Sequence, residues 1–158
     1  MVFAIPLLKD STMRLTSFSD FGLRALLVLA GSERETWSSV ELATKLDISR
    51  DHLIKVLQRL AAGGYVQTTR GAGGGVRLAR RATAIRIGEV LQWLEDDAPL
   101  TECFRDDGGQ CLLTGFCALR PKLERARRAF YAALNETTLA DCLNPALRKF
   151  VAVPLSTA

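Results

Sequence analysis

Apolar residues between Thr16 and Ala30 recur at three- and four-residue steps (Phe18, Phe21, Ala25, Leu26, Leu29), which places them on one stripe of a helix stopped at Gly31. A second helix is predicted after Ser38 or Ser39, either of which can cap it, with Val40, Leu42, Ala43 and Leu46 before a break at Asp47. Ser49 then caps a third helix whose inward residues are Leu53, Val56, Leu57 and Leu60, and Gly63 and Gly64 end it. Tyr65 to Thr69 and Val76 to Leu78 have strand character across a glycine-rich turn, which predicts a short hairpin, or wing. Ile85 to Glu95 returns to helical spacing through Ile87, Val90, Leu91 and Leu94, until Asp96-Asp97-Ala98-Pro99 breaks it. From Leu119, the residues Leu123, Ala126, Phe130 and Ala133 alternate steps of four and three, the pattern of a helix packing along another helix. The expected fold class is therefore mainly α, a winged helix-turn-helix unit followed by a loop and a long helix.

The chain of 158 residues suits one domain with a small appendage, and its 48% apolar and 24% charged residues are those of an ordinary globular protein. No apolar run is long enough to cross a bilayer, so no membrane role is expected. Val2 to Leu8 is apolar, yet no basic residue precedes it and no small-residue cleavage pattern follows, so the cytoplasm is the expected compartment. Met13 opens the first well-patterned segment, which leaves residues 1–12 as a flexible N-terminal extension.

The skeleton Leu42-Ala43-x-x-Leu46-x-Ile48, continued by Leu53 and Val56, matches a helix-turn-helix, with small Ala43 where two helices approach. Asp47 stands where glycine is common, and Asp, like asparagine, tolerates the unusual backbone angles of such a turn. The net charge is only +4, but between Arg50 and Arg86 there are eight Lys or Arg against one acid, Asp51. That density beside a helix and a hairpin suits phosphate neutralisation and points to double-stranded DNA as partner. The start of a recognition helix reaches base edges, which makes Ser49, Arg50, His52 and Lys55 the reading candidates. In the hairpin, Gly73 and Gly74 let backbone approach the duplex, while Arg70 and Arg77 can clamp phosphates or enter the minor groove. A dinucleotide-binding loop is a poor alternative because a strand, not a helix, follows these glycines.

Cys103, Cys111 and Cys117 lie within fifteen residues, in a segment whose acidic start, Glu95 to Asp107, holds six carboxylates and one arginine. Three thiolates on one loop suit an iron-sulfur cluster or zinc, each needing a further donor. Zinc is the second choice, because C-x2-C knuckles are absent and the one histidine, His52, lies on the DNA-reading helix. An enzyme is not expected, since there is no C-x-x-C motif and no histidine near the cysteines to activate a thiolate. A metal-independent thiol switch is the third reading. Cys142 reads as an ordinary buried cysteine.

Five blocks carry a resemblance to a known family: Leu15-Thr16-Ser17-Phe18-Ser19-Asp20-Phe21-Gly22-Leu23-Arg24-Ala25-Leu26, Ser49-Arg50-Asp51-His52-Leu53-Ile54-Lys55, Gly64-Tyr65-Val66, Ala84-Ile85-Arg86-Ile87-Gly88-Glu89-Val90 and Thr138-Leu139-Ala140-Asp141. From Met13 to about Leu143 the chain resembles the dimeric winged-helix regulators that carry iron-sulfur clusters, whose subgroups include NsrR, IscR and RirA, with the closest look to the nitric-oxide-sensing NsrR type. The resemblance implies a homodimer on a pseudo-palindromic DNA operator. It also implies a 4Fe-4S cluster, with 2Fe-2S as the alternative on isolation, held by Cys103, Cys111 and Cys117 with Asp20 of the other subunit. Nitric oxide acting on that cluster would release DNA and lift repression. Arg120 stands where IscR-like members hold a histidine ligand, which speaks against that subgroup. The seven-residue gap between Cys103 and Cys111 is longer than is usual for NsrR and resembles RirA, so an iron-responsive repressor is the main alternative. The expected organisation is an extension (1–12), the winged helix-turn-helix unit (13–96), a cluster-binding loop (97–118), a dimerisation helix with its following segment (119–143) and a C-terminal tail (144–158).

Overall fold

The computed structural model describes residues 15–69, 71, 74–95, 99–105, 107 and 109–154. The expected extension, the break at residues 96–98, Arg70 and Gly73 lie outside them. The described elements run α1 (Ser17–Gly31), α2 (Ser39–Leu46), α3 (Arg50–Ala62), β1 (Val66–Thr69), β2 (Gly75–Leu78), α4 (Ile87–Leu94), α5 (Arg120–Leu134) and α6 (Pro145–Ala152), with short 3-10 turns at Ala82–Ala84, Glu102–Phe104 and Ala140–Cys142.

Each early helix begins where a side chain can accept its first free N–H groups. Ser38 accepts from Glu41 N while the Glu41 carboxylate accepts from Ser38 N at 3.0 Å, a reciprocal capping box. Those bonds, chiefly the backbone one from Ser38, hold the Glu41 carboxyl below its usual range. Ser38→Ala is expected to lower stability by about 1 kcal/mol, read from a denaturant midpoint at unchanged m-value. The turn after α2 is made by Asp47 in the left-handed region (φ 52°, ψ 50°), and Ile48 N then donates to Ala43 O at 3.0 Å. This is the backbone requirement that the sequence predicts for Asp47. Gly64 (φ 69°) reverses the chain after α3, where a Cβ would be strained, and Tyr65 N bonds back to Leu60 O at 2.9 Å.

Leu26, Leu42, Leu53, Leu60, Ile85, Leu91 and Leu139 are fully buried and join α1 to α4 in one core. The hairpin pairs β1 and β2 antiparallel, Val66 opposite Leu78 and Thr69 opposite Gly75. Trp37 bridges to Val76 through two backbone bonds of 2.9 and 2.7 Å, rooting the wing beside α2. Among the described residues no helix is long and apolar enough to cross a membrane.

α5 spans the range that its apolar steps predict, but no residue of it is fully buried within the chain. Its C-terminal half packs on α4 through Tyr131, Leu134 and one side of the half-buried Phe130, whereas Leu119 at its start is 57% exposed. The segment from residue 144, expected to be a tail, instead contains α6. Asn144 caps it, Val151 is 5% exposed, and Gly31 at the end of α1 faces Val151, Leu147 and Leu143. Lys45 on α2 donates to Val153 O at 2.8 Å and lies over the Phe150 ring, so α6 is fastened to the helix-turn-helix.

A candidate nucleic-acid interface and a cysteine loop

The N-terminal turn of α3 is exposed on Ser49, Arg50, Asp51, His52 and Lys55, while Leu53, Val56 and Leu57 point into the core. Ser49 Oγ accepts from His52 N at 3.3 Å, so its hydroxyl caps the helix that carries the other three candidates. Arg50 and Lys55 make no ion pair among the described residues and are available to an external anion. On the wing, Arg77 is exposed and donates to Gln67 Oε1 at 3.0 Å across the strands, and Gly74 N bonds to Gly71 O at 3.0 Å in the turn.

Three arginines counted with the DNA-facing charge have other partners. Arg80 donates to Gly63 O and Gly64 O, each at 2.9 Å, and stacks on Tyr65. Arg59 donates to Trp93 O from two nitrogens, at 3.2 and 2.9 Å, and Arg86 donates to Asn135 O at 3.0 Å. Each guanidinium therefore satisfies carbonyls at a helix C-terminus, those of α3, α4 and α5 in turn, where the orphan acceptors and the dipole both favour a cation. The basic stretch is thus divided between helix capping and a narrower outward face.

The Arg59 contact is reciprocal. Trp93 Nε1 donates to Arg59 O at 2.8 Å, and the guanidinium lies 4.3 Å from the indole centroid, bolting the end of α3 to the end of α4. Two residues beyond Trp93, Glu95 Oε1 accepts from both Thr16 N and Thr16 Oγ1 at 2.9 Å, tying the root of the cysteine loop to the start of α1. Neither Trp93 nor Glu95 stands out in the sequence as more than a helix end.

Cys103, Cys111 and Cys117 are free and half-buried. Their expected convergence is not found in the single chain: among the described residues no three His, Cys, Asp or Glu form a group that could hold a metal ion. The loop's hydrogen bonds are short-range and hold the surroundings of each thiol separately. Arg105 grips Asp107 through two nitrogens, at 3.0 and 2.9 Å, which with Gly109 N holds that exposed carboxyl at about 2. Gln110 N reaches Glu102, and Thr114 N turns back to Cys111 O at 3.1 Å. The donor chemistry nonetheless fits thiolate-held iron: three unbridged thiols share one loop, and His52 is away on α3. Asp20, expected to complete the set, lies on the first turn of α1 and is paired with Arg24 at 2.6 Å, both side chains partly exposed. Cys142 is half-buried, its Sγ 3.6 Å from Thr138 O, and burial together with Asp141 pushes its thiol pKa up.

Residues 15–145 match the family described as Rrf2, iron-dependent transcriptional regulator. The chain belongs to the Rrf2 family. Within it, the HTH-type transcriptional regulator NsrR of Geobacillus kaustophilus is 40% identical over 132 residues, 83% of this chain and 90% of that protein. The structure of CymR, the global cysteine regulator of B. subtilis, is similar over 82% of this chain and 95% of its own, at 26% identity and a TM-score of 0.63. IscR of T. potens shares the fold at 24% identity and a TM-score of 0.66, over 85% and 89% of the two chains. Membership in the Rrf2 family accords with the winged-helix fold and the NsrR-type resemblance read from the sequence. As an Rrf2 protein this chain is a DNA-binding transcriptional regulator, a class distinct from enzymes.

Proposed function

We propose that the chain works as a homodimeric repressor that senses nitric oxide through an iron-sulfur cluster, 4Fe-4S when complete, held by Cys103, Cys111, Cys117 and Asp20 of the partner subunit. What supports this above all is that the three-thiol loop grows from the end of α4, the helix that Arg59 and Trp93 bolt to the DNA-reading helix. When bound, such a cluster supplies iron with one carboxylate corner, a weaker hold than thiolate and the natural point of entry for a small diatomic ligand.

The remaining parts are this chain's own. The half-exposed stripe of α5 offers Leu119, Leu123 and Phe130 to a second copy, and two winged units joined there present two α3 helices to a pseudo-palindrome. Ser49 fixes the first turn of α3, Arg50, His52 and Lys55 face base edges and phosphates, and the wing brings Gly74 and Arg77 alongside, with Arg70 and Gly73 of the same turn kept as candidates from the sequence. Release of Asp20 would free α1, whose N-cap Thr16 is tied to Glu95 at the root of the loop, so signal and DNA contact share one rigid path.

Arg50→Ala is expected to weaken a DNA site selected from a random pool by roughly 10- to 100-fold while iron content stays unchanged. Lys55→Ala should lower the salt slope of binding by about one. Arg80→Ala, by contrast, should act through the melting temperature, because its guanidinium caps α3.

The deciding experiment is strictly anaerobic purification with iron and sulfide analysis and a visible spectrum, before and after stepwise nitric oxide, with DNA binding followed in parallel. Bleaching and DNA release together at low nitric oxide stoichiometry carry the proposal. The seven-residue gap between Cys103 and Cys111 favours iron-responsive repression as the second reading. A cluster lost to iron chelation but sluggish toward nitric oxide would select it, and a protein that binds no iron would leave the thiol switch.

A further inference from the structure

We infer that Phe104 is a positioning residue for Cys103, held by a two-arginine bracket on α5. This rests on the cluster reading above. The Glu102–Phe104 turn places Phe104 directly after Cys103, and two guanidiniums stand over the Phe104 ring, Arg120 at 5.5 Å and Arg127 at 5.6 Å from its centroid. The two arginines are seven residues apart, two turns of α5, so they project from one face of the helix. Glu124, one turn after Arg120, pairs with Arg127 at 3.1 Å and fixes its direction. Phe104, Arg120, Pro121, Glu124 and Arg127 line one groove.

Among the described residues the loop is otherwise held by its own short turns, and this contact fastens it to a rigid helix at the residue next to a thiol. Cys103 Sγ has a second hold, 3.3 Å from Thr101 Oγ1. Among the described residues no such aromatic anchor is found beside Cys111 or Cys117, whose neighbours Leu112 and Phe116 are 96% and 93% exposed. The bracket makes Cys103 the fixed donor of the three and passes any movement of it to α5, the helix proposed to meet the second copy.

The test begins with the metal-free protein, in which maleimide labelling of each cysteine is followed by mass spectrometry. Phe104→Ala should raise the labelling rate of Cys103 by roughly five- to tenfold, the factor that loss of two partly exposed cation–π contacts allows, with Cys111 and Cys117 unchanged. Phe104→Tyr should restore the wild-type rate. The double variant Arg120→Gln with Arg127→Gln should reproduce the alanine effect with the ring intact, and it decides the matter if the alanine variant does not fold. After reconstitution, the alanine and double variants should lose iron to a chelator faster by a similar factor. An unchanged Cys103 labelling rate in both variants would overturn the bracket. A wild-type protein that takes up no iron would overturn the cluster reading instead, and would reduce Phe104 to an anchor of the thiol alone.

Discussion

Gly88→Ala should unfold the junction between the DNA-binding unit and α5, lowering stability by roughly 3 kcal/mol and the melting temperature by about 10 °C. Gly88 lies in the first turn of α4, and a Cβ on it would overlap the carbonyl oxygen of Tyr131 and the side chain of Asn135. Both partners belong to the end of α5, where Arg86 already grips Asn135 O and Ile87 N bonds to Thr137 O at 3.0 Å. The overlap is with backbone, so no side-chain rotation relieves it. Asn135 Oδ1 is buried with no hydrogen-bond partner among the described residues, which leaves this seam no slack for a further unsatisfied group. Calorimetry would show the shift. Operator binding should fall more steeply than the melting temperature suggests, since the spacing of two reading heads depends on this junction. A variant with wild-type melting and DNA binding would mean that α5 is not rigidly joined to α4.

The second large effect is chemical. Cys103→Ala, Cys111→Ala and Cys117→Ala should each reduce bound iron to background, while melting and elution as a dimer stay close to wild type. The three thiols are outside the hydrophobic core, so their truncation should cost no more than about 0.5 kcal/mol. Cys142→Ala should do the reverse: its side chain packs against the core, so iron is retained and stability falls by about 1 kcal/mol. Iron and sulfide assays beside thermal melts check both halves. A single variant that kept its iron would remove that cysteine from the ligand set.

The DNA-binding unit was legible in the sequence because its elements are short, amphipathic and locally punctuated. Ser38, Asp47, Ser49, Gly63 and Gly64 mark helix ends within a few residues, and most of the apolar steps in α1 to α4 are buried, although Phe18, Phe21 and Leu46 are half-buried and Val40 is 53% exposed. Helix α6 was not legible. Asn144-Pro145 does mark its start, but eight residues give little periodicity, and the surface that orders them, around Gly31 and Lys45, is more than a hundred residues away in the chain. The fates of Arg59, Arg80 and Arg86 were equally hidden, since charge counting cannot tell a guanidinium facing phosphate from one capping a helix. The cysteine spacing indicated the chemistry of the loop but not its arrangement, because the thiols ride on a segment with no periodic element to orient them.

The Trp93 clamp and the Trp37 wing root have an optical consequence. The chain contains two tryptophans, and each stands under an arginine: Arg34 is 4.8 Å from the Trp37 ring centroid, and Arg59 is 4.3 Å from that of Trp93. One indole watches the hairpin, the other the seam between the reading helix and the loop-bearing helix. Replacing either one with phenylalanine leaves a single indole, so tryptophan-selective fluorescence can time wing motion and seam motion separately as signal and DNA are added, with no label attached.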